Sequence, residues 1–456
     1  MGIKVCKFGG TSLADATQLR KVASIVRADP TRRYVVVSAP GKRSADDRKI
    51  TDLLYLCHAE ARQSIPFDDV FNLISERYLQ IVADLSLATD LRPHLEMIKN
   101  RIADTSPHAA TDATDTPAAA YAASRGEYLS ALIISELLDY SFVDAAELIR
   151  FDESGALDRS VTARTIATRL AAMDRAVIPG FYGSTHGGEI RTFTRGGSDI
   201  SGALVASAVG AEVYENWTDV SGLLMADPRI VDHPRVIDVL TYRELRELTY
   251  MGATVLHEEA IFPVRDRDIP VNVRNTNDPD APGSQIVSEA SPITHLGTIS
   301  GIAGRKDFTV ITVEKALMNS EIGFGRRLLG ILESHGVSYE HTPSGIDTMS
   351  VVVADRELDG KIEQIVDAIR CVCQPDAIEV QPHMALIATV GRGMAHTPGI
   401  AARLFVTLGD SGINIRMIDQ GSSEMNIIVG VEATDFEKAV RAIYETFVTE
   451  QSDGAT

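Results

Sequence analysis

Cysteine is scarce in this sequence: Cys6, Cys57, Cys371 and Cys373 are the four in 456 residues, and only the last two stand close together, as C-x-C with no second pair. That spacing offers neither a disulfide framework nor a zinc site, and a reducing cytosol is the expected compartment. Basic residues are also in deficit. Against 63 Asp and Glu there are 44 Lys and Arg, a formal net charge of −19, so no nucleic acid and no anionic membrane is expected as a partner. Long apolar runs are missing too; 34–39 is among the longest, far short of the roughly 20 residues a spanning helix needs. No apolar targeting core precedes the glycine-rich motif that begins at Lys7, and Cys6 stands where a myristoylation signal needs Ser or Thr. What is present is ordinary for a folded chain, with 45% hydrophobic and 23% charged residues. At about 150 residues per domain the length suggests two to four domains.

Residues 3–8 read as a strand, Gly9-Gly10-Thr11-Ser12 breaks it, and Leu19, Val22, Ala23 and Val26 then share one helical face, with Asp15 and Gln18 placed as a capping box. The apolar run 34–39 reads as a strand covered on both sides, and strand, helix, strand implies a parallel sheet. Residues 50–97 are mostly helical. The Ala, Thr and Asp-rich stretch 109–123 reads as a loop into a helix around 129–138. Further strands are expected at 142–145, 176–181, 213–215 and 271–274, making the first ~290 residues one α/β unit. Two prolines, a glycine and several turn-forming residues in 275–291 place a connection in or just after that stretch. The remaining third repeats: Gly336 and Gly412, and Met349 and Met425, are matched anchors with one common offset of 76 residues. Each copy reads strand, helix, strand, strand, helix. In the first these fall at 308–313, 325–335, 337–341, 349–353 and 358–369, a pair of small α+β modules.

Two stretches suit anion binding. Lys7 stands before Gly9-Gly10, where free backbone N–H groups and a helix start are expected, although the glycine spacing is neither a P-loop nor a dinucleotide fingerprint. Arg195-Gly196-Gly197-Ser198-Asp199 repeats the design before an apolar helix, 200–209, with Ser198 or Asp199 as its cap. Read alone, the first fits a tight turn with a surface lysine and the second a capped helix. Together they point to one ligand at the carboxyl edge of a parallel sheet. Residues 216–222 with Asp227-Pro228-Arg229 read as a polar excursion after a strand, and Gly126-Glu127 as a helix start. His257, Glu258 and Glu259 are consecutive and diverge on a helix, so no metal site is read there.

Lys7-Phe8-Gly9-Gly10-Thr11-Ser12, Val37-Ser38-Ala39, Gly126-Glu127, the 195–199 loop, Trp217-Thr218-Asp219-Val220, Asp227-Pro228-Arg229 and the stretch from Gly252 to His257 follow one another as in the aspartokinases. The chain resembles a monofunctional aspartokinase, and that resemblance implies an amino-acid-kinase catalytic domain, 1–290, followed by two ferredoxin-like ACT modules, 300–383 and 384–451. It implies transfer of the γ-phosphoryl group of ATP, with Mg²⁺, to the side-chain carboxylate of L-aspartate, in lysine, threonine and methionine biosynthesis. Carried over, Lys7 and Asp199 are the catalytic positions. Ser38, Thr51, Glu127, Arg195 and Ser198 contact aspartate, while Lys7, Gly9, Gly10, Thr218, Asp219 and Arg229 contact ATP. Two positions depart from many relatives: Thr254, where lysine is common, and Leu224, where an aromatic residue is common.

The chemistry fits those residue types. A carboxylate nucleophile with an unperturbed pKa of ~3.9 is already ionised, so no general base is needed. The difficulty is bringing it to a polyphosphate, which calls for cations and N–H donors. Asp199 is therefore read as an orienting group, Arg195 as the grip on the α-carboxylate and Glu127 as the partner of the α-ammonium. For regulation, the resemblance implies an amino-acid effector, lysine or threonine or both, near Met318, Gly323, Ser338, Glu340 and Thr342, and a homodimer or larger assembly through the ACT modules. Two other readings stay open: a glutamate-type amino-acid kinase, and a catalytically silent amino-acid sensor.

Overall fold

The computed structural model describes residues 2–104, 116–194, 196–253, 256, 258–291, 297–395 and 397–449. Two compact units emerge: Met1–Leu223 with Asp238–Tyr242 and Val255–Thr294, and Leu224–Ile237 with Arg243–Thr254 and His295–Thr456.

The first unit is the expected α/β layer structure. It runs β1 (Lys4–Phe8), α1 (Ala16–Ala28), β2 (Arg32–Val37), α2 (Ile50–Arg62), α3 (Asp68–Leu85), α4 (Arg92–Ala103), α5 (Pro117–Leu138), β3 (Ser141–Phe142), α6 (Ala145–Leu148), β4 (Arg150–Phe151) and α7 (Arg159–Ala171). After these come β5 (Ala176–Pro179), β6 (Tyr182–Thr185), β7 (Ile190–Thr192), α8 (Gly197–Val209), β8 (Val213–Thr218), β9 (Val239–Thr241), β10 (Val271–Asn275) and β11 (Ser284–Val287). Eight strands form the main sheet in the order β3-β5-β2-β1-β8-β10-β11-β9. Every neighbouring pair is parallel except β10 with β11. Strands β1 and β2 are almost wholly buried because helices cover both faces. As the periodicity predicts, Leu19, Val22, Ala23 and Val26 line the buried face of α1, and the Asp15 side chain caps it by accepting from Gln18 N at 2.9 Å. Beneath the sheet the one tryptophan, Trp217, donates to Glu215 at 2.9 Å, and the same carboxylate takes Arg32 at 2.8 Å. Buried charge here is matched by opposite charge, which is what makes it tolerable.

Several local expectations change. The helix α5 starts at Pro117, not near 129, because Thr116 accepts Ala119 N and a proline follows it at the first helical position. Residues 109–115 of the expected loop lie outside the described residues. The strand expected at 142–145 shrinks to β3, since Asp144 caps α6 by accepting Ala146 N at 2.9 Å. The proline-rich stretch 275–291 is not only a connection: a turn in it leads to β11, which pairs with β10 and β9.

The second unit contains a five-stranded sheet, order β13-β12-β14-β16-β15, built from β12 (Gly301–Glu314), β13 (Thr348–Ala354), β14 (Ala377–Val390), β15 (Met417–Asp419) and β16 (Asn426–Glu432), with all pairs antiparallel. Its longer helices are Phe324–Ser334, Ile362–Cys373, Ile400–Asp410 and Phe436–Tyr444. Strands β12 and β14 are each 14 residues long and pair along most of their length. Their register breaks between Arg305 and Phe308, where Asp307 and His383 both have positive φ. On one side of the break β12 meets β13; on the other β14 meets β16. The expected strand at 337–341 is absent, reduced to an isolated bridge between His341 and Val352, with Ser338 and Tyr339 exposed. The last helix of the first repeat begins at Ile362 and not at Leu358, because Asp359 and Gly360 have positive φ.

Candidate active site

Parallel pairing of β5, β2, β1 and β8 brings four strand ends to one edge of the main sheet, and the loops leaving them are laced together. Gly9 N donates to Trp217 O at 2.9 Å, Ser38 N to Phe8 O at 3.2 Å and Gly180 N to Val37 O at 2.8 Å. The Gly9-Gly10 turn does not run directly into α1 as the sequence suggested. It forms a short 3-10 turn, Gly10–Leu13, because Asp15 claims the cap of α1.

Lys7, at the penultimate residue of β1, reaches across this edge. Its Nζ lies 2.5 Å from Asp199 Oδ1 and 3.4 Å from Asn216 Oδ1, and Asn216 Nδ2 donates to Asp199 Oδ1 at 2.9 Å. Lys7 and Asn216 are buried, so this triad is held in a poorly screened environment. Asp199 does not cap α8. Gly196 does, in the left-handed conformation at φ 57°, leaving Ser198 and Asp199 in the first turn, where a carboxylate is favoured by the helix dipole. The two glycine-containing loops read from the sequence are thus joined through the Lys7–Asp199 pair. Arg195 lies outside the described residues, as do Thr254 and His257.

Glu127 sits midway along α5, not at a helix start, with 4% exposure. The Ala39 N–H donates to its carboxylate, its Oε2 has no partner, and burial pushes its pKa up to about 8. Gly126 explains the close approach: a Cβ there would come 2.6 Å from Ala39 Cβ. Ile50, beside Thr51, also packs on Gly126. Ser38 and Thr51 are half-buried. Ser198 is buried against Gly180, where an added Cβ would come 2.7 Å from Ser198 Cβ.

Thr218 ends β8, so the residues from Asn216 to Thr218 complete a strand rather than begin an excursion. Asp219 is exposed and accepts from Thr218 Oγ1 at 3.2 Å. Arg229 belongs to the second unit, where it is exposed and grips Asp227 through Nε at 3.0 Å and Nη2 at 2.6 Å. Of the expected effector residues, Met318 is buried in the core, Gly323 caps the helix Phe324–Ser334 at φ 81°, and Ser338 is exposed. Thr342 is half-buried, and Glu340 is held by Arg305 at 3.3 Å. Leu224 is half-buried and bridges to Val236. No group of three or more His, Cys, Asp or Glu among the described residues has metal-binding geometry. No described helix is long and apolar enough to cross a membrane.

Sequence reasoning missed Asn216, the Ala39 N–H and Gly180. Asn216 was within a quoted motif, but its part depends on Asp199, 17 residues away in sequence.

Residues 2–275 match the amino acid kinase family and residues 387–447 match the ACT domain. Aspartokinase 3 of Bacillus subtilis (strain 168) is 39% identical, with 98% of each chain covered. The crystal structure of Clostridium acetobutylicum aspartate kinase superposes with a TM-score of 0.88 at 53% identity, covering 98% of this chain and 99% of that one. Escherichia coli aspartokinase III, 27% identical, is similar in two states: an R-state with aspartate and ADP (TM-score 0.72, covering 97% of this chain and 99% of that one) and a T-state with lysine and aspartate (TM-score 0.73, covering 98% and 99%).

Proposed function

The chain belongs to the aspartokinases, within the amino acid kinase family, and from that premise we propose how its residues divide the work. The enzyme transfers the γ-phosphoryl group of ATP to the side-chain carboxylate of L-aspartate, giving 4-phospho-L-aspartate and ADP. One carboxylate oxygen forms the new bond to phosphorus while the bond to the β,γ-bridging oxygen breaks, and no proton changes hands. The residues therefore have positioning and charge neutralisation to perform.

The observation that carries the assignment is the Lys7–Asp199 contact of 2.5 Å between the two loops. Lys7 neutralises the transferring phosphoryl group, Asp199 and Asn216 hold its ammonium in line, Gly10 supplies an N–H donor, and Gly9, whose own N–H is held by Trp217 O, leaves room for the phosphates beside Lys7. Thr218 and Asp219, at the end of β8, complete the ATP contacts. Ser38, Thr51, Ser198 and Arg195 hold aspartate, with Glu127 receiving its ammonium; an unpartnered buried oxygen on Glu127 supports that role. Mg²⁺ would enter with the polyphosphate, whose oxygens are its usual ligands. It would screen phosphate charge, with Asp219 the exposed carboxylate nearest the strand end.

Regulation follows the same pattern. Lysine or threonine binds at the first module around Met318, Gly323, Ser338, Glu340 and Thr342, within 300–383, and favours a less active arrangement of the catalytic residues 1–290. The second module, 384–451, pairs with the first, and the enzyme assembles through them as a homodimer or larger oligomer in the cytoplasm. The test of the catalytic assignment is trapping with hydroxylamine. Wild type yields aspartyl and not glutamyl hydroxamate, whereas Lys7→Ala loses at least about 100-fold in kcat and Asp199→Asn falls between the two. A Lys7→Ala enzyme near wild-type rate would refute it.

A further inference from the structure

Arg77 lies on α3, outside every residue set assigned above, and is 6% exposed. A buried guanidinium normally meets a matched carboxylate. This one is turned mainly onto backbone carbonyls. Its Nη2 donates to Ala14 O at 3.2 Å and to Gly41 O, and its Nη1 to Arg48 O at 3.1 Å, with Asp47 Oδ2 3.3 Å away. The three carbonyls come from two different loops. Ala14 follows the 3-10 turn that continues the Gly9-Gly10 segment, while Gly41 and Arg48 lie in the stretch between β2 and α2, which runs from Ser38 to Lys49 and leads straight to Thr51 in the first turn of α2.

Those loops are also pressed together directly. Gly41 N donates to Gly10 O at 2.7 Å, and a Cβ on Gly41 would fall 2.6 Å from Gly10 C. The next residue of α3 acts in the same direction: Tyr78 donates its hydroxyl to Gly126 O at 2.7 Å, beside Glu127. One turn of α3 therefore touches the carriers of the phosphate-binding glycines, the aspartate-binding hydroxyls and Glu127.

We propose that Arg77 is a positioning residue for phosphoryl transfer, a single planar donor that fixes the loop after β1 against the loop after β2 and so sets the distance between the two substrates. The inference rests on assigning Gly9 and Gly10 to ATP and Ser38 and Thr51 to aspartate. A lysine cannot replace it: an ammonium carries charge but lacks the flat fork that spans separate acceptors. Because misplacement by about 1 Å costs on the order of 100-fold in rate, the effect belongs in kcat more than in either KM.

The experiment measures kcat and KM for both substrates in Arg77→Ala and Arg77→Lys, with and without added guanidinium ion. Arg77→Ala is expected to lose about 100-fold in kcat and to regain activity with guanidinium but not with equimolar sodium chloride; Arg77→Lys stays impaired at least tenfold. If the alanine variant does not fold, the lysine variant decides. Wild-type kinetics within about threefold in Arg77→Lys, or a folded Arg77→Ala that only melts earlier, would overturn the proposal. Lys7→Ala is run alongside. Full activity there would overturn the site assignment and this inference with it, whereas an inactive Lys7→Ala beside a wild-type-like Arg77→Lys removes the role of Arg77 alone.

Discussion

Glu127 carries the most consequential charge at the residue scale. Burial raises its pKa to about 8, so in the free enzyme near neutral pH much of it is protonated and unable to pair with an ammonium group. The folded protein binds that proton more tightly than the unfolded chain does. Stability from the neutral form is therefore full below about pH 4.5 and declines as pH rises toward 8. Bound aspartate supplies a cation that favours the ionised form. We expect kcat/KM for aspartate to rise with pH between about 6 and 8, with protons released on binding, and Glu127→Gln to lower it and flatten the slope. Steady-state kinetics across that range check this; an unchanged slope in the variant would assign the titration elsewhere. Glu127 was legible as a candidate from Gly126-Glu127, but the reason for its importance was not. Sequence suggested a helix start, whereas the side chain lies midway along a buried helix.

At the scale of elements, the site depends on strand ends approaching the start of α8 more closely than a side chain permits. Gly180 follows β5, and an added Cβ would come 2.7 Å from Ser198 Cβ and 2.8 Å from its hydroxyl. Gly180→Ala must push α8 outward, carrying Asp199 away from Lys7. The expected cost is about 1–3 kcal/mol in unfolding free energy, typical of overpacking, with a fall in kcat larger than that of a surface Gly→Ala control. Denaturant unfolding and the hydroxamate assay measure both; wild-type values in each would show that α8 has slack. Periodicity located α1, β1, β2 and β8 because apolar faces are local properties of sequence. It misjudged the start of α5 and the strand at 337–341, which depend on a capping pair and on which neighbours are free to pair.

For the whole molecule, two long strands unite the repeated modules. Strands β12 and β14 each continue past a register break, so that one ladder serves both halves of the sheet. A change at one module is thereby given a covalent route to the other. Glu340 lies near this break, and Arg305 from β12 already occupies its carboxylate at 3.3 Å. That contact uses Oε1 and leaves Oε2 without a partner, so an effector ammonium reaching Glu340 would share the carboxylate with the guanidinium. Glu340→Gln is expected to shift the lysine or threonine inhibition midpoint by about fivefold or more, while leaving uninhibited kcat near wild type. Titration of each amino acid gives the answer, and superimposable curves for both would remove Glu340 from the effector site.

The sequence by itself determined the α/β class, the repeat, the two glycine loops and the residue types suited to two anionic substrates, because composition, periodicity and turn chemistry are written in neighbouring residues. Only the tertiary structure decided that Lys7 meets Asp199 and Asn216. It alone set Glu127 beneath Ala39, turned Arg77 onto three carbonyls from two loops, and carried β12 and β14 through both halves of one sheet. Each of these joins partners distant along the chain, and such pairings are chosen by strand order and packing, which no local pattern encodes.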